Sequence, residues 1–340
     1  MNSIFEDLFV LELANNHQGN IKRGKKIISE FSKITSVQGI KTAIKLQFRD
    51  SENFIHKDFK NDFKNPYVNK VLNTKMTLNE YRILAEEIKK YGHIKVATPF
   101  DEKSVETCCK LDIDIIKIAS ANINDWHLVS KIADAKKPII VSTGGATSEE
   151  IDKIVAFFKN RNIPTAINHC VSIYPSQPQE MQLNQVDFLK NRYPMHVIGF
   201  STHEYNDTIE ASMLVAYAKG ARLFERHIDL ENSSMAYCST TKNIGKWIEA
   251  YKKAQTLCGS TQREICEKEL EYLKTFERGV YSKKDIEEGQ ILTQDDVYFA
   301  IPKQEGQMSS IEFEEGTKTV QNIPQNNPIK KLEQKNEVTA

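Results

Sequence analysis

Three pairs of polar residues in this sequence sit two positions apart: Lys45 and Gln47, Ser201 and His203, Glu225 and His227. On a β-strand, residues i and i+2 point to the same face, so each pair delivers two polar groups to one side. Each pair closes a short apolar run, as do Glu12, Thr98, Lys117, Ser120 and Ser142 on other runs. A buried face carrying so many polar groups without partners would cost a few kcal/mol (~2–7) per group, and a bound ligand or ion relieves that cost. The residue types favour an anion: Lys45 and Lys117 supply point charge, while Thr98, Ser120 and Ser142 supply donors for phosphate oxygens. Ser142-Thr143-Gly144-Gly145, leading toward a helix, adds backbone N–H groups. His203 and His227 end consecutive runs and can meet on one divalent ion, with water and substrate completing an exchangeable octahedral shell of the Mn²⁺ or Mg²⁺ kind. Softer metals also accept imidazole, and a histidine at a strand end also serves as a hydrogen-bonded core residue; the pair alone leaves both readings open.

Such groups need a frame, and the chain alternates two patterns that provide one. Eight apolar, β-branched runs read as strands: Leu8–Leu13, Ile40–Leu46, His93–Thr98, Ile113–Ile118, Pro138–Ser142, Thr165–Cys170, His196–Ser201 and Ala221–Ile228. Helix-length amphipathic stretches lie between them, including Ile21–Ile34, Leu78–Tyr91, Ser148–Lys159 and Thr208–Lys219. Thr147 ahead of Glu149 and Glu150 reads as a helix cap with carboxylates at the positive dipole end, and Asp207 reads as a cap for the helix at Thr208. Eight strand–helix units over about 250 residues fit a closed (β/α)₈ barrel, whose strand ends form the active face. An insertion from Asp50 to about Lys75, with little helical periodicity, reads as an active-site loop on that face.

The barrel is expected over residues 1–265. Residues 266–277 read as a linker within a charged helix near Cys258–Glu269 and beyond, and residues 278–340 as a small, mainly β domain with turns at Glu288-Gly289 and Glu315-Gly316. The 340 residues carry 46 Lys and Arg against 46 Asp and Glu, so there is no basic excess for nucleic acid. No apolar run approaches the ~20 residues of a membrane span. The N-terminus lacks the basic start of a secretory signal. The six cysteines show no metal-knuckle spacing and read as reduced thiols, so the expected compartment is the cytoplasm.

In order along the chain, the strand ends resemble those of the sialic acid synthase family. The match runs through Glu12 with Asn16-His17-Gln18-Gly19, Lys45-Leu46-Gln47, Ala97-Thr98-Pro99-Phe100, Lys117-Ile118-Ala119-Ser120, Ser142-Thr143-Gly144, His169-Cys170-Val171-Ser172-Ile173-Tyr174-Pro175, Gly199-Phe200-Ser201-Thr202-His203 and Glu225-Arg226-His227. Arg278-Gly279-Val280-Tyr281, Lys284–Gly289 and Leu292-Thr293 look like the opening of the family's antifreeze-like (SAF) domain, which caps the partner's barrel in a domain-swapped homodimer. The resemblance implies condensation of phosphoenolpyruvate with an N-acetylated aldose, N-acetylmannosamine or a related sugar. It implies that Lys45, Thr98, Lys117, Ser120, Ser142, Ser172 and Ser201 hold phosphoenolpyruvate. Gln47 and Tyr174 would touch the sugar, His203 and His227 would carry the divalent ion, and Glu12 and Glu225 would be the catalytic carboxylates. A synthase for a different 3-deoxy-2-ulosonic acid of surface polysaccharide, or a barrel that binds without turnover, are the alternatives.

The departures from the family fall on the acceptor side. Asp229–Thr241 replaces a proline- and glycine-rich turn, with Tyr237 or Cys238 near the place of a sugar-binding aspartate. Ile301 stands where an arginine is usual in the small domain, with Lys303 nearby as a substitute. Ser172 stands where many members have asparagine.

Overall fold

A computed structural model describes residues 4–50, 52–60, 64–231 and 235–331. Eight strands, β1 (Leu8–Ala14), β2 (Lys41–Phe48), β3 (Ile94–Pro99), β4 (Ile115–Ile118), β5 (Ile139–Ser142), β6 (Thr165–Cys170), β7 (Ile198–Thr202) and β8 (Leu223–His227), close into one parallel barrel in sequence order. The eight expected strands are all present, with ends shifted by a few residues at most.

Alternation along these strands explains the interior. Val10, Ala43, Val96, Ile115, Ile140, Ala166 and Leu223 form one buried cluster within the barrel. Two residues further along each of those strands stand Glu12, Lys45, Thr98, Lys117, Ser142, Asn168 and Glu225, all buried. The barrel interior therefore has an apolar layer beneath a polar one, and the period of two fixes which residues join each layer. Register completes the arrangement: Glu12 pairs with Lys45 on one side and His227 on the other, Gln47 with Thr98, Ser142 with Asn168, and Ser201 with Glu225.

The outward strand faces are sealed by the helices. Phe9, Leu11, Ile44, Ile116, Val141 and Phe224 pack against apolar stripes of α1 (Ile21–Gln38), α3 (Leu78–Lys90), α4 (Glu102–Lys110), α5 (Trp126–Asp134), α6 (Ser148–Lys159), α7 (Asn184–Arg192), α8 (Ile209–Ala218) and α9 (Thr241–Cys258), where α2 is the inserted helix described below. Thr147 caps α6 in a reciprocal box with Glu150, and Thr77 does the same for α3 with Glu80. Asp207 does not cap α8: the position before that helix is Thr208, itself in right-handed helical geometry and making no side-chain cap bond.

The insertion after β2 is more ordered than its sequence suggests. It contains a 3₁₀ turn at Lys57–Phe59 and the helix α2 (Pro66–Asn73). Asn65 caps α2 by accepting from the backbone of Tyr67 and Val68, and Pro66 fills the first turn, where a missing N–H costs nothing. Ile55, Val68 and Val71 form a small core beneath it. A single carboxylate anchors its start. Asp101 Oδ1 accepts from Ser104 N at 2.7 Å, capping α4, while its Oδ2 accepts from Asp50 N at 2.7 Å.

The chain divides into two compact units, one ending at Gly259 and the other beginning at Ser260. In the second, the charged stretch is helical only over α10 (Glu267–Lys274), and α9 ends at Cys258 with Gly259 in left-handed geometry. Beyond it, β9 (Gly279–Ser282) and β10 (Val297–Ala300) pair antiparallel over a core of Val280, Ile286, Leu292, Val297, Met308, Ile323 and Ile329. Gly289 and Gly316 take positive φ at the two expected turns. Ile301 is exposed, and Lys303 pairs with Glu277 at 2.7 Å inside this unit. All six cysteines are free thiols; Cys108, Cys170 and Cys238 are buried, and Cys109, Cys258 and Cys266 exposed.

Candidate active site

A cavity of about 440 Å³ opens at the C-terminal ends of the strands. All thirteen residues singled out from the sequence line it: Glu12, Lys45, Gln47, Thr98, Lys117, Ser120, Ser142, Ser172, Tyr174, Ser201, His203, Glu225 and His227.

Its floor is a closed charge network. Lys45 Nζ lies 2.6 Å from Glu225 Oε1 and 2.9 Å from Glu12 Oε2. Lys117 Nζ lies 2.8 and 2.9 Å from the two oxygens of Glu225. Ser201 donates to Glu225 Oε1 at 3.0 Å, Asn168 Nδ2 approaches Oε2 at 3.4 Å, and Gln47 Nε2 donates to Glu12 Oε1 at 2.6 Å. Desolvation favours the neutral forms, but the paired charges decide the outcome. Burial opposes ionisation of Glu225, yet Lys117 and Lys45 bring its carboxyl down to about 2. Burial likewise opposes ionisation of Glu12, and the lysines, Lys45 ahead of Lys117, outweigh it, so Glu12 also stays below the usual range. For Lys45 the two glutamates outweigh burial and raise the ammonium, whereas burial wins at Lys117 and lowers it.

The hydroxyl groups gather on another arc. Gly144 N donates to Ser120 Oγ at 3.1 Å, so this N–H is already committed, and α6 begins only at Ser148. Of the backbone N–H groups expected from Ser142–Gly145, that of Thr143 is also committed, to Asn168 O at 3.1 Å. Gly144 serves through its missing side chain: a Cβ there would lie 2.7 Å from Ser120 Oγ and closer still to Ser172 Oγ. Without it, Ser120 and Ser172 converge beside Lys117.

His203 and His227 face one another at the mouth, ring centroids 5.3 Å apart. Nδ1 of His203 lies 3.0 Å from Val171 O, which places a proton on Nδ1 and makes Nε2 the nitrogen that could serve an ion. Burial brings His227 down to about 3, despite attraction by Glu12, whose Oε2 is 3.3 Å from its Nε2. At neutral pH Lys45, rather than an imidazolium, is thus the counter-charge of Glu12. A neutral imidazole and a second one oriented by a backbone carbonyl are the donor states a divalent ion requires. Among the described residues no group of three or more His, Cys, Asp or Glu side chains forms a metal cage, so water and substrate oxygens would complete any shell.

Several residues of the site were not foreseen. Asn168 lies two positions after interior Ala166, and strand parity alone could have found it. Cys170, next on that face, is hydrogen-bonded to His203; burial opposes its ionisation, but His203, Lys117 and Ser120 bring the thiol down to about 7. The same contact lifts His203 against its own burial. Arg49, Tyr67 and Lys70 from the insertion and its root join the rim. Between the two candidates on the β8–α9 segment, Tyr237 lines the cavity, its ring 5.2 Å from His227 and 5.3 Å from Tyr174. Cys238 turns away to accept from Asn16 Nδ2 at 3.4 Å. Behind the histidines, Arg226 and Glu204 form a sealed pair at 3.0 Å, and Arg226 also reaches Ser239 and Asn206. This staple ties the end of β7 to the segment after β8.

Known proteins resemble this chain over most of its length. Residues 36–262 match the model of the NeuB family. The chain is 29% identical over 303 residues to a pseudaminic acid synthase of Campylobacter jejuni, covering 85% of each. A crystal structure described as spore coat polysaccharide biosynthesis protein E from Chromobacterium violaceum superposes with a TM-score of 0.90 at 33% identity, covering 95% of this chain and 98% of that one. The N-acetylneuraminic acid synthetase of Leptospira borgpetersenii superposes with a TM-score of 0.70 at 27% identity, covering 80% and 91%.

Proposed function

The chain belongs to the NeuB family, and on that premise we propose that it condenses phosphoenolpyruvate, an N-acetylated aldose and water into a nonulosonic acid, releasing phosphate. The observation that carries the reading is the convergence of all thirteen candidate residues on one cavity.

In this reading Lys45 and Lys117 meet the anionic groups of phosphoenolpyruvate, while Thr98, Ser120, Ser142, Ser172 and Ser201 donate to its oxygens. C3 of phosphoenolpyruvate forms the new bond to the aldehyde carbon of the open-chain aldose, and the aldehyde oxygen takes up a proton. Positive character then develops at C2, which the carboxylates of Glu12 and Glu225 can stabilise. Water adds at C2, one proton passing to a carboxylate, and the C2–O bond to phosphate breaks as the new C2 hydroxyl becomes the ketone, its proton leaving with the phosphate. Glu225 has its oxygens occupied by two lysines and Ser201 and acts as the fixed anion. Glu12, which reaches toward His227, is the carboxylate that handles the proton. Gln47 and Tyr174 orient the sugar. His203 and His227 would hold a divalent ion, Mn²⁺ or Mg²⁺, which when bound supplies Lewis acidity toward the aldehyde. The second unit is read as the SAF-like domain of a domain-swapped homodimer, which light scattering at micromolar concentration tests: a monomer removes that part.

The deciding experiment follows phosphate release from phosphoenolpyruvate with Mn²⁺ across aldoses that include N-acetylmannosamine and diacetamido sugars. Expected is release with one sugar, abolished by chelation, together with loss of Mn²⁺ binding by His203→Ala in calorimetry. Binding of phosphoenolpyruvate without release for any sugar would instead favour a non-catalytic barrel.

A further inference from the structure

Charge in the cavity is balanced at the floor and unbalanced at the rim. Lys45 and Lys117 are matched by Glu12 and Glu225. Two more cations, Arg49 just beyond β2 and Lys70 on α2, line the same cavity, and among the described residues no further carboxylate does. Arg49 donates from Nη2 to Gln47 Oε1 at 3.0 Å and from Nε to the Tyr67 hydroxyl at 3.3 Å, and its guanidinium lies 3.8 Å from the centroid of Phe100. All three partners are neutral. Lys70 is half-buried, and its ammonium has no hydrogen-bond or ion-pair partner among the described residues. Burial first, and then Arg49, lower it from the ordinary lysine range, so the two like charges feel one another.

Long lysine side chains normally carry their charge out to water. Holding one in the same cavity as a guanidinium, partly desolvated and without a counter-ion in contact, is unfavourable until an anion arrives. The insertion helix itself places Lys70 there, with Asn65 capping α2 and Val68 and Val71 seated in a small core. Position then selects which substrate brings the anion. The phosphoenolpyruvate groups lie on β2 to β7, with Ser120 and Ser172 gathered around Gly144. Arg49 lies on the other side of Gln47, whose amide donates to Glu12 with one end and accepts from Arg49 with the other. A sugar with its aldehyde near Glu12 and His227 extends past Gln47 toward these cations.

We propose that Arg49 and Lys70 form an anion subsite for the acceptor, so that the aldose carries a negatively charged group, a phosphate monoester by charge match, remote from its aldehyde. The inference rests on the reading that an aldose occupies this cavity. An arginine fork beside a lysine point charge suits a dianionic phosphate, whereas a neutral hydroxymethyl or methyl group leaves both cations unpaired.

The test compares N-acetylmannosamine, its 6-phosphate and the corresponding uronic acid, with wild type, Lys70→Met and Arg49→Met. Both kinetics and calorimetric sugar binding in the presence of phosphoenolpyruvate are read. Expected is at least a tenfold preference for the 6-phosphate in kcat/KM, weakening with salt. Lys70→Met should erase it through a roughly 10–100-fold rise in acceptor KM, with KM for phosphoenolpyruvate and the melting temperature unmoved. Preference for the uronic acid would keep the subsite and replace phosphate by carboxylate. Preference for the neutral sugar, or a Lys70→Met effect on phosphoenolpyruvate alone, would overturn it. If no sugar turns over, binding of the 6-phosphate that weakens in Lys70→Met supports the subsite while removing the condensation reading; equal binding of all three sugars overturns the subsite.

Discussion

The floor and the rim of one cavity treat charge in opposite ways. On the floor, Lys45, Lys117, Glu12 and Glu225 are almost inaccessible and neutralise one another across strands β1, β2, β4 and β8. On the rim, Arg49 and Lys70 are half-buried, touch only neutral groups and belong to an insertion and its root. The floor is built by barrel register and cannot change without moving strands. The rim is built by a short capped helix that can change by itself. The contrast separates a part that performs chemistry from a part that selects what receives it.

The most severe way to break the floor is Glu225→Gln. It leaves Lys45 short of one carboxylate and Lys117 without its ion-pair partner, and losing one member of a buried ion network costs about 3–5 kcal/mol. A fall of that order in denaturant stability is expected, along with loss of turnover of about a thousandfold or more. Near-native stability would show that the lysines are solvated rather than paired.

Acid attacks the same floor more gradually. The Glu225 carboxyl is brought from the usual 4.5 to about 2, and Glu12 is also lowered. Their stabilisation is fully present above the unfolded value and is lost as pH falls from about 4.5 toward 2. His227, held near 3 against 6.5, adds to this in the same direction, because the unfolded chain takes up its proton first, below 6.5. The melting temperature should therefore fall in two stages on acidification, and His227→Gln should shrink the upper one, to which His17, lowered by burial to about 4, also contributes. A flat profile between pH 6.5 and 4.5 in the wild type would contradict the assignment of a neutral His227.

The rim offers the mildest test. Asn65→Ala removes the cap of α2 at a cost of about 1 kcal/mol to that helix. Its effect should be confined to acceptor KM, a few-fold rise, with KM for phosphoenolpyruvate unchanged. Equal effects on both would merge the two regions.

Much of this was legible in the sequence because a barrel repeats a simple rule. Strand runs, their two-residue parity and the polar residues at their ends identify the cavity wall, and the Thr147–Glu150 box announces its helix. What escaped depends on longer-range geometry. Asn168 follows the parity of its strand but was overshadowed by His169, which points outward and bonds Met181 O at 2.7 Å. The four-way charge network depends on pairing across the barrel, since Lys117 and Glu225 are far apart in the sequence and on strands that are not neighbours. The inserted helix is too short for periodicity to reveal, although Asn65-Pro66 marks its start. Asp207 misled because a good capping residue acts only when the chain turns at that position, and here the turn continues through Thr208.

Asp101 holds both the first turn of α4 and the first residue of the insertion, one carboxylate oxygen for each. The insertion is thus fastened at its root to a part of the barrel that the chemistry does not use. Lineages, or a protein engineer, can therefore exchange the segment between Asp50 and Lys75 as a cassette. Such a graft would retune acceptor choice while leaving the condensing machinery on its original strands.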